Sequence, residues 1–403
     1  MQAMNEKINR LFASRRFNWI AFALIAALIL IAYSNTFYAT FHFDDNPSIV
    51  ENYALKRATM ENIIGLIKGI RPVVYLSLML NYALGGLNVV GYHIFNIGFH
   101  IANSFFVYLL LLWTLTQPAL GAKHGDRAKM TALFGALLFG VHPIQTETVT
   151  YIISRTEILA TFFYLATFLL FIKGAPTGRL SYTAGMFITA LLSMGSKEWA
   201  VTLPAMLMVY DFLFLAGGKA GPLLTRWKIY VATAIPWIVV LRNLDLTSAG
   251  GSAGVGFNLT RSVDLAPLTP WTYLLTSCNV IWTYIRLLFL PINQNLDYEY
   301  PVARTLLEFP TILSLLGHVA VIIAAFWLYK RRGALLIPFA VAWFYITLSP
   351  TQSFVPVIDV IFEHRVYMPS IGFFLAFVVA FELLFEWLEE RKGKKGQIAA
   401  GSS

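Results

Sequence analysis

The chain has 403 residues, 58% of them hydrophobic and 13% charged, against roughly 25% charged in a soluble domain. Such a chain cannot cover a surface with charge, and it reads as an integral membrane protein. The net charge of +9 is spread over short loops between apolar runs, a topology signal that excludes a nucleic-acid patch, and the single Cys278 excludes an internal disulfide or a Cys-rich metal site.

Taken in order, residues 6–16 form a charged leader with Lys7, Arg10, Arg15 and Arg16. The positive-inside rule puts it in the cytoplasm. No small-residue cleavage site follows the long apolar run 17–38, so this is a first span and not a signal peptide. The span delivers Phe41-His42-Phe43-Asp44-Asp45-Asn46 to the outside. In the outer loop 39–91, residues 58–70 predict an amphipathic helix on the membrane, broken at Arg71-Pro72, and 73–84 is apolar but too short to span. The run 92–116 is the second span, with His93, Asn96 and His100 on one face of its first turns. Further spans are expected at 130–141, 158–172, 182–194, 200–215, 229–241, 311–329, 335–348 and 369–388. The outer loops between them are 142–156, 242–309 and 350–366. Residues 250–256 are glycine-rich, and 271–290 is long enough to span, yet it holds Arg286, Asn279 and several aromatics.

Crossing by 271–290 would put Lys330, Arg331, Arg332 and the basic tail outside, so an interfacial position is preferred. With ten spans and both termini inside, the inner segments hold 19 of the 30 Lys and Arg but 7 of the 21 Asp and Glu. The expected fold is an all-α polytopic membrane protein with 10–11 transmembrane helices and outer juxtamembrane helices. Its transmembrane domain covers 1–388, and 389–403 forms a basic cytoplasmic tail whose last three residues read as a cloning remnant.

Most of the polar chemistry collects on the outer face. Asp44 and Asp45 can supply a general base, a ligand for a divalent metal, or both. No cofactor is otherwise implied. His142, Glu147 and Arg155 share one short loop, though Pro143 and its flanking charges also fit a plain helix start. His93 and His100 fit packed interfacial histidines as well as site residues, and Lys197-Glu198 fits a self-paired turn. Glu363-His364-Arg365 with Tyr367 offers an anionic lipid phosphate a bidentate partner, or ordinary interface anchoring. No phosphate-cradling glycine loop or nucleophile elbow occurs.

Motifs in this order resemble a known family. Asp44-Asp45-Asn46-Pro47-Ser48-Ile49, Arg71-Pro72, Leu80-Asn81-Tyr82, Gly91-Tyr92-His93-Ile94-Phe95-Asn96 with His100, and His142-Pro143 to Glu147 come first. Ser154-Arg155, Lys197-Glu198, Tyr210-Asp211, Leu296-Asp297-Tyr298 and Glu363-His364-Arg365-Val366-Tyr367-Met368-Pro369-Ser370 follow. The chain is similar to the polytopic membrane glycosyltransferases of the GT-C superfamily, and within them to the TMTC group of O-mannosyltransferase-like proteins, without that group's tetratricopeptide repeats. Glu157 stands where the group often has Asp.

The resemblance implies a GT-C-like fold, a catalytic carboxylate in the first outer loop and a polyprenyl-phosphate-linked sugar donor such as dolichyl phosphate mannose. The acceptor, a protein, glycan or lipid hydroxyl, would lie on the extracytoplasmic face. Localisation would be a bacterial inner membrane with the site toward the periplasm, or an ER membrane with a lumenal site. Expected catalytic residues are Asp44, Asp45 and Glu147, with Asp44 the base. Arg155, Lys197, Arg365 and Tyr367 are expected at the donor phosphate, and Arg71, His93, His100, His142, Glu198, Asp297 and His364 shape the site. A flippase or transporter of lipid-linked sugars is the alternative; it would need polar groups at the midplane and no outer base.

Overall fold

The computed structural model describes residues 16–120, 125–238, 259–260, 267–357 and 359–400. The leader 6–15, the glycine-rich stretch 250–256 and residues 239–241 of the expected seventh span lie outside the described residues. Apolar chain in a bilayer must satisfy its own backbone, and the described residues do so as helices. Among the described residues the one strand pairing is a two-residue antiparallel ladder, Leu259–Thr260 with Pro267–Leu268, and connecting stretches such as 290–308 form neither helix nor strand.

Helix α1 (Arg16–Ala32) buries Phe17, Ala21, Ile25 and Ile29, one residue per turn. Outside it, α2 (Met60–Lys68) is capped by Thr59, whose Oγ1 accepts from Asn62 N at 3.3 Å. Its apolar stripe matches the expected amphipathic helix. The break follows at Arg71, where a left-handed backbone (φ 55°) and Pro72 start α3 (Pro72–Gly85). Helix α4 (Val89–Leu115), 27 residues long, is the central element and packs on α1, α5 (Ala128–Val141) and α6 (Arg155–Gly174). Next come α7 (Leu180–Met194), α8 (Leu203–Tyr210) and α9 (Trp227–Ala234). The last four helices are α10 (Pro270–Phe289), α11 (Phe309–Arg332), α12 (Leu336–Leu348) and α13 (Ser370–Ala400). The α12–α13 contact is backbone-close: a Cβ on Gly372 would lie 2.5 Å from Ala340 O.

Among the described residues, four helical stretches are long and apolar enough to cross a membrane: Val89–Leu115, Ile152–Thr177, Glu198–Leu215 and Phe309–Arg331. Six shorter apolar helices accompany them. The protein is an all-α integral membrane protein. Helix α10 belongs to neither group. It starts on a capping box, Thr269 with Thr272, and lies along the segment between α12 and α13. Tyr273 Oη donates to Thr351 O (2.5 Å), Tyr284 Oη donates to Phe362 O (2.8 Å), and Phe289 meets the Phe373 ring edge-on.

One face of α4 organises its surroundings. His93 Nε2 donates to Ala39 O (2.9 Å), Asn96 Nδ2 to Ile152 O (3.2 Å), His100 Nε2 to Gly140 O (2.9 Å) and Asn103 Nδ2 to Ile158 O (2.9 Å). All four side chains are buried. Gly140 O belongs to the last turn of α5, where carbonyls lack a partner within the helix. Each buried amide or imidazole thus finds a backbone carbonyl as its acceptor.

Candidate active site

The segments pinned by α4 close around a cavity of about 360 Å³, within the range of small-molecule sites. The first loop lines it with Ala39, His42 and Asp45, and the second with Thr146, Glu147, Thr150 and Tyr151. The segment after α10 adds Gln294, Asn295 and Leu296, and the single turn Glu363–Val366 adds Glu363. Three carboxylates face this space, with no Lys or Arg in its lining.

Each carboxylate clasps the backbone of another segment. Asp45 Oδ2 accepts from His42 N (3.1 Å) and Oδ1 from Ile153 N (2.8 Å), tying the first loop to the second. Burial pushes its carboxyl up to about 6, against the lowering effect of those amides. Glu147 Oε2 accepts from His364 N (3.0 Å), and its Oε1 lies 2.5 Å from His364 Nδ1. Glu363 Oε1 accepts from Asn295 N (2.8 Å) and Tyr298 Oη, and Oε2 from Gln294 Nε2 (2.5 Å).

Asp44 stands apart from its neighbour. It is exposed, its backbone N donates to Tyr151 Oη (2.8 Å), and it is not among the lining residues. Burial raises the pKa of the Tyr151 phenol, and the nearby Asp44 carboxylate adds to that. Among the described residues no group of three or more His, Cys, Asp or Glu is arranged to hold a metal, and both Asp45 oxygens are taken by backbone amides.

A chain of ionisable groups runs inward from the cavity. His364 Nε2 lies 4.0 Å from Glu157 Oε1, which lies 2.7 Å from Lys197 Nζ, while Glu157 Oε2 accepts from Trp199 Nε1 (2.5 Å). Burial lowers the Lys197 pKa and the Glu157 carboxylate works against it. Arg71 makes a bidentate pair with Glu198, Nε to Oε1 at 2.9 Å and Nη2 to Oε2 at 3.0 Å.

No protein-family model matches the chain. Curated relatives do. Protein O-mannosyl-transferase TMTC3 of Mus musculus is 30% identical over 51% of this chain and 23% of its own length. TMTC2 of Homo sapiens is 33% identical over 56% of this chain and 27% of its own. TMTC4 of Homo sapiens is 24% identical over 92% of this chain and 56% of its own. This chain is TMTC-like. It spans between about a quarter and about half of the length of these three relatives.

The TMTC-like chain gathers some of the expected site residues and separates others. Asp45 and Glu147 line the cavity, and His364 abuts it through Glu147. His142 caps the turn that starts the second loop, its Nδ1 accepting from Ile144 N (3.2 Å). Asp297 is exposed one residue past the lining.

Arg155 and Tyr367 lie outside the cavity lining. Arg155 is fully buried: Nε donates to Asn96 Oδ1 (2.9 Å), Nη1 to Ser77 Oγ and Nη2 to Tyr92 O (3.3 Å each), and its Cζ lies 4.0 Å from the Phe95 ring centre. Tyr367, also fully buried, donates to His100 Nδ1 (2.7 Å) and accepts from Asn103 Nδ2 (3.1 Å). His93 and His100 belong to the α4 face. Lys197 is committed to Glu157. Arg365 is 9% exposed, lies against the Phe362 ring, and leaves Nη1 with no hydrogen-bond partner.

Several residues at or beside the cavity stand outside the expected set, among them Glu157, Tyr151, Gln294 and Glu363. Glu157 reads as an ordinary first-turn carboxylate, and Tyr151 and Gln294 as loop residues. Of these three, the only prior signal was Glu157 standing where Asp is usual.

Proposed function

We propose that the chain is a membrane glycosyltransferase of the GT-C type, O-mannosyltransferase-like, that moves a sugar from a polyprenyl-phosphate donor to an acceptor hydroxyl on the extracytoplasmic face. The observation that carries this reading is the meeting of the first and second outer loops, through Asp45 and Glu147, in one cavity. Its polar lining, with the Gln294 and Asn295 amides among the carboxylates, suits sugar hydroxyls, and it offers no Lys or Arg to an anion. The cavity therefore seats the sugar, and the phosphate lies outside it.

The acceptor oxygen attacks the anomeric carbon as the bond from that carbon to the phosphate oxygen breaks. One displacement inverts the centre, the lipid leaves as its phosphate, and the hydroxyl proton passes to a carboxylate. Asp44 is assigned as that base: it is exposed to an incoming acceptor, whereas Asp45 spends both oxygens on amides. Arg365, with an unspent guanidinium N–H, stabilises the departing phosphate. A second reading makes Asp45 the base, because it lines the cavity and its pKa of about 6 suits proton transfer near neutrality.

The test is incubation of the purified protein with a panel of polyprenyl-phosphate sugars, following donor loss by mass spectrometry. Consumption of a neutral hexosyl donor with transfer to a hydroxyl acceptor is expected. An inert protein across the panel sinks the proposal.

A further inference from the structure

The turn Glu363–Val366 grips two cavity walls with adjacent residues. His364 holds Glu147 of the second loop through its N–H and its ring. Glu363 holds the opposite wall, in the stretch between α10 and α11, which forms no helix or strand. Such a stretch has no ladder to satisfy its amides or fix its path. Three donors from it converge on the Glu363 carboxylate: the Asn295 N–H, the Gln294 amide and the Tyr298 hydroxyl. Gln294 Nε2 also reaches Pro143 O (3.1 Å), tying the same wall to the second loop.

Glu363 is 2% exposed, and a carboxylate that deep requires several charge-assisted bonds. All three come from the wall it orders, so the carboxylate is committed to that wall and is not available as a base.

We infer that Glu363 is a positioning residue that fixes segment 294–298 as the sugar-recognising wall of the cavity, an inference that rests on the cavity seating the transferred sugar. Gln294 and Asn295 line the cavity, and the bonds to Glu363 leave Gln294 Oε1 and Asn295 Nδ2 to meet sugar hydroxyls. Loss of the carboxylate frees the wall without touching the reacting atoms. It therefore weakens ground-state and transition-state binding alike and spares the chemical step.

The experiment compares Glu363→Ala, Glu363→Gln, Tyr298→Phe and the Glu363→Ala/Tyr298→Phe pair in the full chain, in detergent. Amide exchange over 291–298, measured without substrate, should rise roughly tenfold or more in Glu363→Ala. The donor KM should rise roughly tenfold with kcat within about threefold. Tyr298→Phe alone should give a smaller rise in KM, and it should add nothing in the Glu363→Ala background. Unchanged exchange in 291–298, additive effects of the pair, or a fall in kcat at constant KM would each overturn the assignment. If Glu363→Ala does not fold, Glu363→Gln and Tyr298→Phe carry the same comparison. Exchange needs no turnover, so a wild-type protein inert toward the donor panel refutes the proposed function while the positioning role is still decided.

Discussion

Adjacent in sequence, Asp44 and Asp45 occupy opposite environments, and substitution separates their roles. Asp44→Asn keeps shape and polarity but cannot take a proton, so turnover should fall roughly 10²–10⁴-fold with donor binding retained in a titration. If the main loss instead appears in Asp45→Asn, and wild-type kcat/KM shows a limb near pH 6, Asp45 is the base.

Asp45 also leaves a mark on stability. Its carboxyl titrates at about 6 when folded against 3.8 in the open chain. The folded state therefore binds more protons between those values, and stability falls as pH rises through them. At about 1.36 kcal/mol per unit, the wild type should lose roughly 3 kcal/mol relative to Asp45→Asn between pH 3.5 and 7. Thermal unfolding of both proteins in detergent across that range checks this; parallel curves would contradict it.

The two arginines divide in the same way. Arg365→Ala should weaken donor binding by roughly 1.5–3 kcal/mol through loss of a charge-assisted contact. Arg155→Ala should leave donor affinity intact and lower the unfolding temperature, because it strips Asn96 Oδ1 of its buried partner. Sequence chemistry points to both charges but does not give their depth. An arginine just past an outer loop looks available until Asn96, Ser77 and Phe95 are seen to enclose it.

At the scale of elements, α4 shows what periodicity reveals and what it leaves out. The spacing of His93, Asn96 and His100 puts them on one face from sequence alone, and the amphipathic α2 with its break at Arg71-Pro72 was equally readable. The partners of that face were not, because they are backbone carbonyls, and every residue has one. Asn96→Ala should cost about 1–3 kcal/mol, because the Arg155 Nε–H loses its buried acceptor while Ile152 O keeps only the Arg155 backbone N–H. Unfolding of the variant measures this. Amide exchange in 151–155 should rise with it, and a change confined to α4 itself would contradict the clasp. The role of Glu363 hid for a similar reason: its three partners lie in a stretch without any periodic signal.

For the whole molecule, composition was enough to establish a membrane-embedded helical bundle, since no chain so poor in charge covers itself in water. The crossing pattern is a separate matter. Helix α10 rests lengthwise on the segment between α12 and α13, and Lys330 to Arg332 close α11. With α10 lying in the interface, a cysteine introduced at position 331 in a Cys278→Ser background should react with an impermeant thiol reagent only from the cytoplasmic side. Labelling from the outside would mean that α10 crosses and that the second half of the chain is inverted.

The clasps on α4 have a consequence for variation among related chains. Its four side chains read carbonyl oxygens, which survive any substitution in the segments that carry them. Positions in the first and second loops whose side chains make no clasp of their own can therefore change while Ala39 O and Ile152 O stay held by His93 and Asn96. Selection for a new sugar or acceptor can act on loop sequence, while the face of α4 keeps the frame in which those changes are tried.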